Sequence, residues 1–114
     1  MTRKKFEALV RDVIKKFPKK FKEKLQNIDI VVDGGLDKKS ASLLGLYRGV
    51  PLESRGHYYS IVLPDKITLY QRNIELECEA QGLDIRDEVK NVIQHEIAHY
   101  FGISDKRLTE LGVY

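Results

Sequence analysis

Residues 85–101 constrain this chain more than any other stretch. Ile85, Val89, Val92, Ile93, Ile97, Tyr100 and Phe101 recur at three- and four-residue spacing and form one apolar arc of a helix. Such an arc must be buried, so the rest of the chain has to supply a sheet or further helices to cover it. The same stretch runs into a fixed polar pattern. His95-Glu96-Ile97-Ala98-His99-Tyr100-Phe101-Gly102-Ile103-Ser104-Asp105 reads H-E-x-x-H, then x-x-G-x-x-D. His95 and His99 project from one side of the helix, because four steps of about 100° overshoot a turn by only about 40°. With Glu96 they lie on one shoulder of the apolar arc, where the wall of a cleft would be.

Two imidazoles so placed can bridge one divalent ion, and Glu96 points near the same spot without having to ligate. Gly102 allows the helix to stop in a left-handed turn, after which Asp105 can supply a third ligand. Asp105 has a second role open to it: Ser104 can cap a last short helix, whose first turn favours an acid. The two roles are compatible. H-E-x-x-H by itself is short and occurs on ordinary helices; its weight here comes from the amphipathic helix that carries it. Three protein ligands plus an open position describe a catalytic zinc site rather than a structural one. Such a site makes a nucleophilic water available near neutral pH. Glu96 would accept its proton and pass it to a leaving amine, so the expected reaction is amide hydrolysis. Zinc, one per chain, suits two imidazoles and a carboxylate, although iron, cobalt or manganese can occupy such a donor set.

The 114 residues suit one compact domain, residues 1–114. Apolar residues make up 42% and charged residues 32%, which excludes a disordered chain. No apolar run is long enough for a membrane span. The opening Met-Thr-Arg-Lys-Lys-Phe-Glu lacks the apolar stretch of a signal peptide, so a cytoplasmic location is expected. A single cysteine, Cys78, forbids an intramolecular disulfide and is expected to pack as a small apolar residue. The net charge of +3 is uneven: residues 1–24 hold ten basic and three acidic side chains, a net of +7, and the remainder −4. That basic segment reads as a solvated helix face rather than a nucleic-acid surface, because lysines dominate and no aromatics interleave for base stacking.

Along the chain, Phe6, Leu9, Val10, Val13, Ile14 and Phe17 mark a helix over residues 3–17. Pro18 ends it or opens a second short helix through Leu25. Ile28 to Val32 is β-branched and stopped by Asp33-Gly34-Gly35, which predicts a strand. Leu43 to Tyr47 is a second strand, and Gly49-Val50-Pro51 leads into an irregular segment through about residue 57. Tyr59 to Leu63 and Lys66 to Tyr70 read as strands flanking a turn at Pro64-Asp65. Asn73 to Gln81 suits a short helix with Gly82 as its stop. Asp84 caps the following helix, with Asp87 and Glu88 in its first turn. Ser104 to Leu111 forms a last helix. Helices before and after a small sheet argue for an α+β fold.

Three stretches then resemble a known family, the small bacterial zincin-like metallopeptidases with a minimal zincin fold. The specific one is HEIAHYFGISD; the weaker ones are Gly45-Leu46-Tyr47-Arg48-Gly49-Val50-Pro51-Leu52-Glu53-Ser54-Arg55 and Leu63-Pro64-Asp65-Lys66-Ile67-Thr68-Leu69-Tyr70-Gln71-Arg72. The resemblance as a whole extends over about residues 43–111, and the N-terminal helix is only compatible with it. The resemblance implies a small mixed sheet packed on the H-E-x-x-H helix and an N-terminal helix, with an edge strand bordering the cleft. It implies zinc ligation by His95, His99 and Asp105, and general-base duty for Glu96. The pattern is also similar to the metzincins but departs from them: their third ligand is histidine, and they need a methionine in a turn below the metal, whereas the only methionine here is Met1.

Further residues carry expectations. His57 reads as a loop residue. Donors for a developing oxyanion include Tyr58, Tyr59, His57, Arg107 and Tyr114. Arg55 and Arg72 suit carboxylate pairing within the fold. Glu110, Asp87 and Glu88 are the acids that could orient the histidines. The functional expectation is a zinc-dependent metallopeptidase acting on a peptide or protein substrate, with either narrow substrate choice or a regulatory partner of unknown kind to restrain it. Two alternatives stand beside it: a metal-dependent ribonuclease, and a non-catalytic zinc-binding module.

Overall fold

The computed structural model describes residues 1–34, 43–49 and 65–100. Four helices and three strands lie among them, in an α+β arrangement: α1 (Arg3–Lys15), α2 (Lys19–Leu25), β1 (Ile28–Asp33), β2 (Gly45–Arg48), β3 (Asp65–Tyr70), α3 (Gln71–Gln81) and α4 (Ile85–Tyr100). The expected strand at Tyr59–Leu63, the turn at Gly102 and the helix at Ser104–Leu111 lie outside the described residues.

Local chemistry sets the helix ends. Thr2 caps α1, its hydroxyl accepting from the Lys5 amide at 3.1 Å. The residue before a proline is pushed away from helical geometry, so α1 stops two residues short of the expected Phe17, ahead of Pro18. The last turn tightens instead, with the Lys16 and Phe17 amides donating to the carbonyls of Val13 and Ile14. Pro18 then serves as the N-cap of α2. Helix α3 begins at Gln71, directly after β3 and two residues earlier than its sequence pattern indicates. It has no side-chain cap to announce its start. Its end is as expected: Gly82 takes the left-handed conformation, φ 64°, and its amide returns to the Cys78 carbonyl. Asp84 caps α4, accepting from the Asp87 amide at 3.1 Å.

The sheet order is β1-β3-β2. β1 runs parallel to β3, with Ile28 opposite Asp65 and Val32 opposite Leu69. β2 runs antiparallel to β3, with Gly45 opposite Leu69 and Tyr47 opposite Ile67. The period-2 alternation sends Ile28, Val32, Ile67 and Leu69 into the core, while Asp29, Val31 and Lys66 face outward. Against the inner face lie Val89, Val92, Ile93 and Ile97 of α4, with Phe6, Val10 and Val13 of α1 and Ile74 of α3. Arg86 of α4 pairs with Asp12 of α1, tying the two helices at the surface. The Arg86 guanidinium first, then Lys16, holds the Asp12 carboxyl below the usual range. Asn73 donates to the Leu43 carbonyl at 2.7 Å, which fixes the entry to β2 from α3. The result places α4 across the inner side of the sheet with its polar shoulder at β2.

Candidate metal centre

His95, Glu96 and His99 occupy the last two turns of α4, whose buried side anchors the helix through Val92, Ile93 and Ile97. One ligand atom from each of the three lies within 4.8 Å of the other two. The two imidazole rings stand edge to face, with centroids 4.7 Å apart. His95 is 9% exposed and Glu96 only 5%, whereas the His99 side chain is 27% exposed. The group thus opens to solvent on the His99 side. Two imidazoles and a carboxylate converging in this way fit a divalent ion of the zinc type.

A carboxylate this deeply buried is costly unless hydrogen-bonded. Glu96 Oε1 accepts from the backbone amide of Tyr47 at 2.9 Å and lies 3.2 Å from His99 Nδ1. A histidine that turns one ring nitrogen to a carboxylate has its tautomer and orientation fixed and presents the other nitrogen to a metal. Of the acids expected to orient the histidines, Glu110 is outside the described residues, Asp87 lies at the first turn of α4, and Glu88 sits near Glu77 and Cys78 of α3. The carboxylate found against His99 is Glu96.

The route by which Tyr47 reaches Glu96 follows from strand phase. The Tyr70 amide donates to the Leu44 carbonyl. In an antiparallel ladder that bond fixes the alternation. Leu46 and Arg48 therefore turn their amides to β3, while Gly45 and Tyr47 turn theirs to the opposite edge, where Glu96 is. β2 can lie this close to α4 because position 45 lacks a side chain: a Cβ there would be 2.6 Å from Val92 Cγ1 and 3.3 Å from Glu96 Cγ. The Tyr47 ring packs edge-on to Tyr100, centroids 6.0 Å apart, at the end of the same helix.

The sequence reading did not assign Gly45 or the Tyr47 amide to the site. A backbone donor leaves no side-chain signature. The available signal was a glycine beside an apolar strand, which marks a close approach of another segment. Asp105, His57, Tyr58, Tyr59, Arg107 and Tyr114 lie outside the described residues. Cys78, expected as a packing residue, is buried in the core. Burial, then the carboxylates of Glu88, Asp84, Glu77 and Glu75, pushes its thiol up, which makes it a poor nucleophile.

A mixed sheet backed by a helix that presents a largely buried His-Glu-His group, one that could hold a metal ion beside β2, defines the class of protein. The match to a family model gives that class its name: residues 23–113 match the zincin-like metallopeptidase family, and the chain belongs to it. Its structure is similar to that of a conserved hypothetical protein from Thermo thermophilus. The TM-score is 0.60 at 26% identity, over 89% of this chain and 94% of that one. No curated protein matches the chain. Among the described residues no helix is long and apolar enough to cross a membrane.

Proposed function

We propose that this protein is a zinc-dependent metallopeptidase that hydrolyses peptide bonds, with His95, His99 and Asp105 as the metal ligands and Glu96 as the general base. The observation that carries the reading is the convergence of His95, Glu96 and His99 within 4.8 Å on the polar shoulder of α4, which opens to solvent at His99. A bound zinc ion would acidify a water and polarise the scissile carbonyl. The chain's own residues do the rest. Glu96 Oε2, whose partner oxygen is held by the Tyr47 amide, takes a proton from the attacking water as its oxygen bonds to the carbonyl carbon. Glu96 then returns that proton to the amide nitrogen as the C–N bond breaks. Burial of Glu96 strengthens its interactions with the reacting atoms, because little water competes. The single cysteine supports a reducing compartment, and we place the enzyme in the cytoplasm as one domain.

Metal analysis of the wild type and Asp105→Ala, followed by turnover of casein and a peptide library, tests the proposal. One zinc per chain, lost in the variant, together with peptide cleavage by the wild type, is expected. Zinc-loaded protein that cleaves no peptide, but cleaves RNA with a steep salt dependence, would instead favour the ribonuclease alternative.

A further inference from the structure

We infer that Gly45 and the backbone amide of Tyr47 are positioning elements for Glu96: the missing side chain brings β2 against α4, and the outward amide then fixes the carboxylate. The inference rests on the reading of Glu96 as general base. Its geometric part stands on the strand and the helix alone.

Three observations converge. First, the ladder phase set by the Tyr70-to-Leu44 bond directs the Tyr47 amide away from β3. An outward amide on a strand at the edge of the described sheet ordinarily bonds to water; this one bonds to Glu96 Oε1 at 2.9 Å. Second, no side chain fits at position 45. A Cβ would be 2.6 Å from Val92 Cγ1, and valine in a helix has one strongly preferred χ1 rotamer, so the methyl cannot swing away freely. Val92 is 1% exposed and packed on its other sides, so β2 would have to yield instead. Third, the carboxylate stem itself touches this gap, with Glu96 Cγ 3.3 Å from the position of that Cβ. One glycine therefore sets both the strand-to-helix distance and the place of the base. Removing it should displace Glu96 by a fraction of an ångström to an ångström while leaving the histidines on their helix. A misplacement of that size costs about 10²-fold in rate.

The test uses the full chain loaded with one equivalent of zinc and compares wild type, Gly45→Ala, Gly45→Ala/Val92→Ala and Glu96→Ala. Amide hydrogen exchange reads the bond without reference to activity. The Tyr47 amide should be protected in wild type and should exchange at least about tenfold faster in Glu96→Ala, with the Leu46 and Arg48 amides as unchanged internal controls. Gly45→Ala should expose the Tyr47 amide in the same way. It should keep its zinc and KM yet lower kcat by about 10²-fold. Trimming Val92 to alanine in the double variant makes room for the new methyl and should restore both protection and kcat. Fast exchange at Tyr47 in wild type overturns the inference, even where Gly45→Ala fails to fold. So does a Gly45→Ala protein with unchanged kcat. A wild type that protects Tyr47 but turns over no peptide overturns the peptidase reading and supports the amide–carboxylate bond.

Discussion

His99 Nδ1 lies 3.2 Å from Glu96 Oε1, so one carboxylate serves both a candidate ligand and the neighbouring strand. The shared oxygen means that replacing Glu96 tests two roles at once, and the choice of replacement separates them. Glutamine keeps a carbonyl oxygen to accept from the Tyr47 amide but cannot take up a proton. Glu96→Gln should therefore keep its zinc and its melting temperature while kcat falls by about 10²–10⁴-fold, the usual worth of a general base. Zinc content by elemental analysis and single-substrate kinetics decide it. A variant that retains its kcat would remove Glu96 from the proton transfer.

Glu88 gives the fold a contribution to stability that declines as pH rises. It is 9% exposed, and burial, then the Glu77 carboxylate, raises its pKa above the usual glutamate range. A carboxyl raised in the folded state binds its proton more tightly there than in the unfolded chain. Its contribution is therefore fully present below the ordinary glutamate pKa and is lost as pH rises through the raised value. Thermal melts across pH 4 to 8 should show this decline in the wild type and a flatter profile in Glu88→Gln, with the variant more stable at the upper end.

The Asp12 pair works in the opposite sense. Arg86, then Lys16, lowers the Asp12 carboxyl, so the tie between α1 and α4 contributes above the ordinary aspartate pKa and fades as pH falls through the depressed value. Both partners are substantially exposed, so the effect should be small and should shrink in salt. Urea unfolding of Asp12→Asn at low and high ionic strength measures it. A large, salt-independent loss would contradict an exposed pair.

Phe6 shows how far the site depends on α1. It is fully buried within the core cluster that also holds Val89, Ile93 and Ile97 of α4. Phe6→Ala should cost about 3–5 kcal/mol in urea unfolding, from lost burial plus the cavity left behind. At that loss a domain of this size is close to its stability limit. Zinc should then raise the variant's melting temperature more visibly than the wild type's occupancy alone suggests, since a ligand that binds only the folded state stabilises it.

Much of the architecture was legible in the residue pattern. The 3.6-residue recurrence of Phe6, Val10 and Val13, and of Val89, Val92, Ile93 and Ile97, identified α1 and α4 because a helix must put those residues on one side. β-branched Ile28 to Val32 and the run Lys66 to Tyr70 gave β1 and β3. Helix α3 starts two residues ahead of its pattern because Gln71, buried and polar as Asn73 also is, counts as surface in any periodicity. Their partners, the Met1 and Leu43 carbonyls, are distant in sequence. The mixed strand order was a family expectation; propensity says which residues are extended, not which strands adjoin.

The sequence by itself determined that His95, Glu96 and His99 share a helical shoulder, since spacing along a helix fixes angle without reference to any other part of the chain. Tertiary structure alone decided what meets that shoulder. Tyr47 is 49 positions from Glu96 along the chain, and their bond exists only because β2 pairs with β3 in one register and α4 lies against a strand with no side chain at Gly45. Local periodicity is written residue by residue, whereas a backbone donor supplied across the fold has no residue type of its own to betray it.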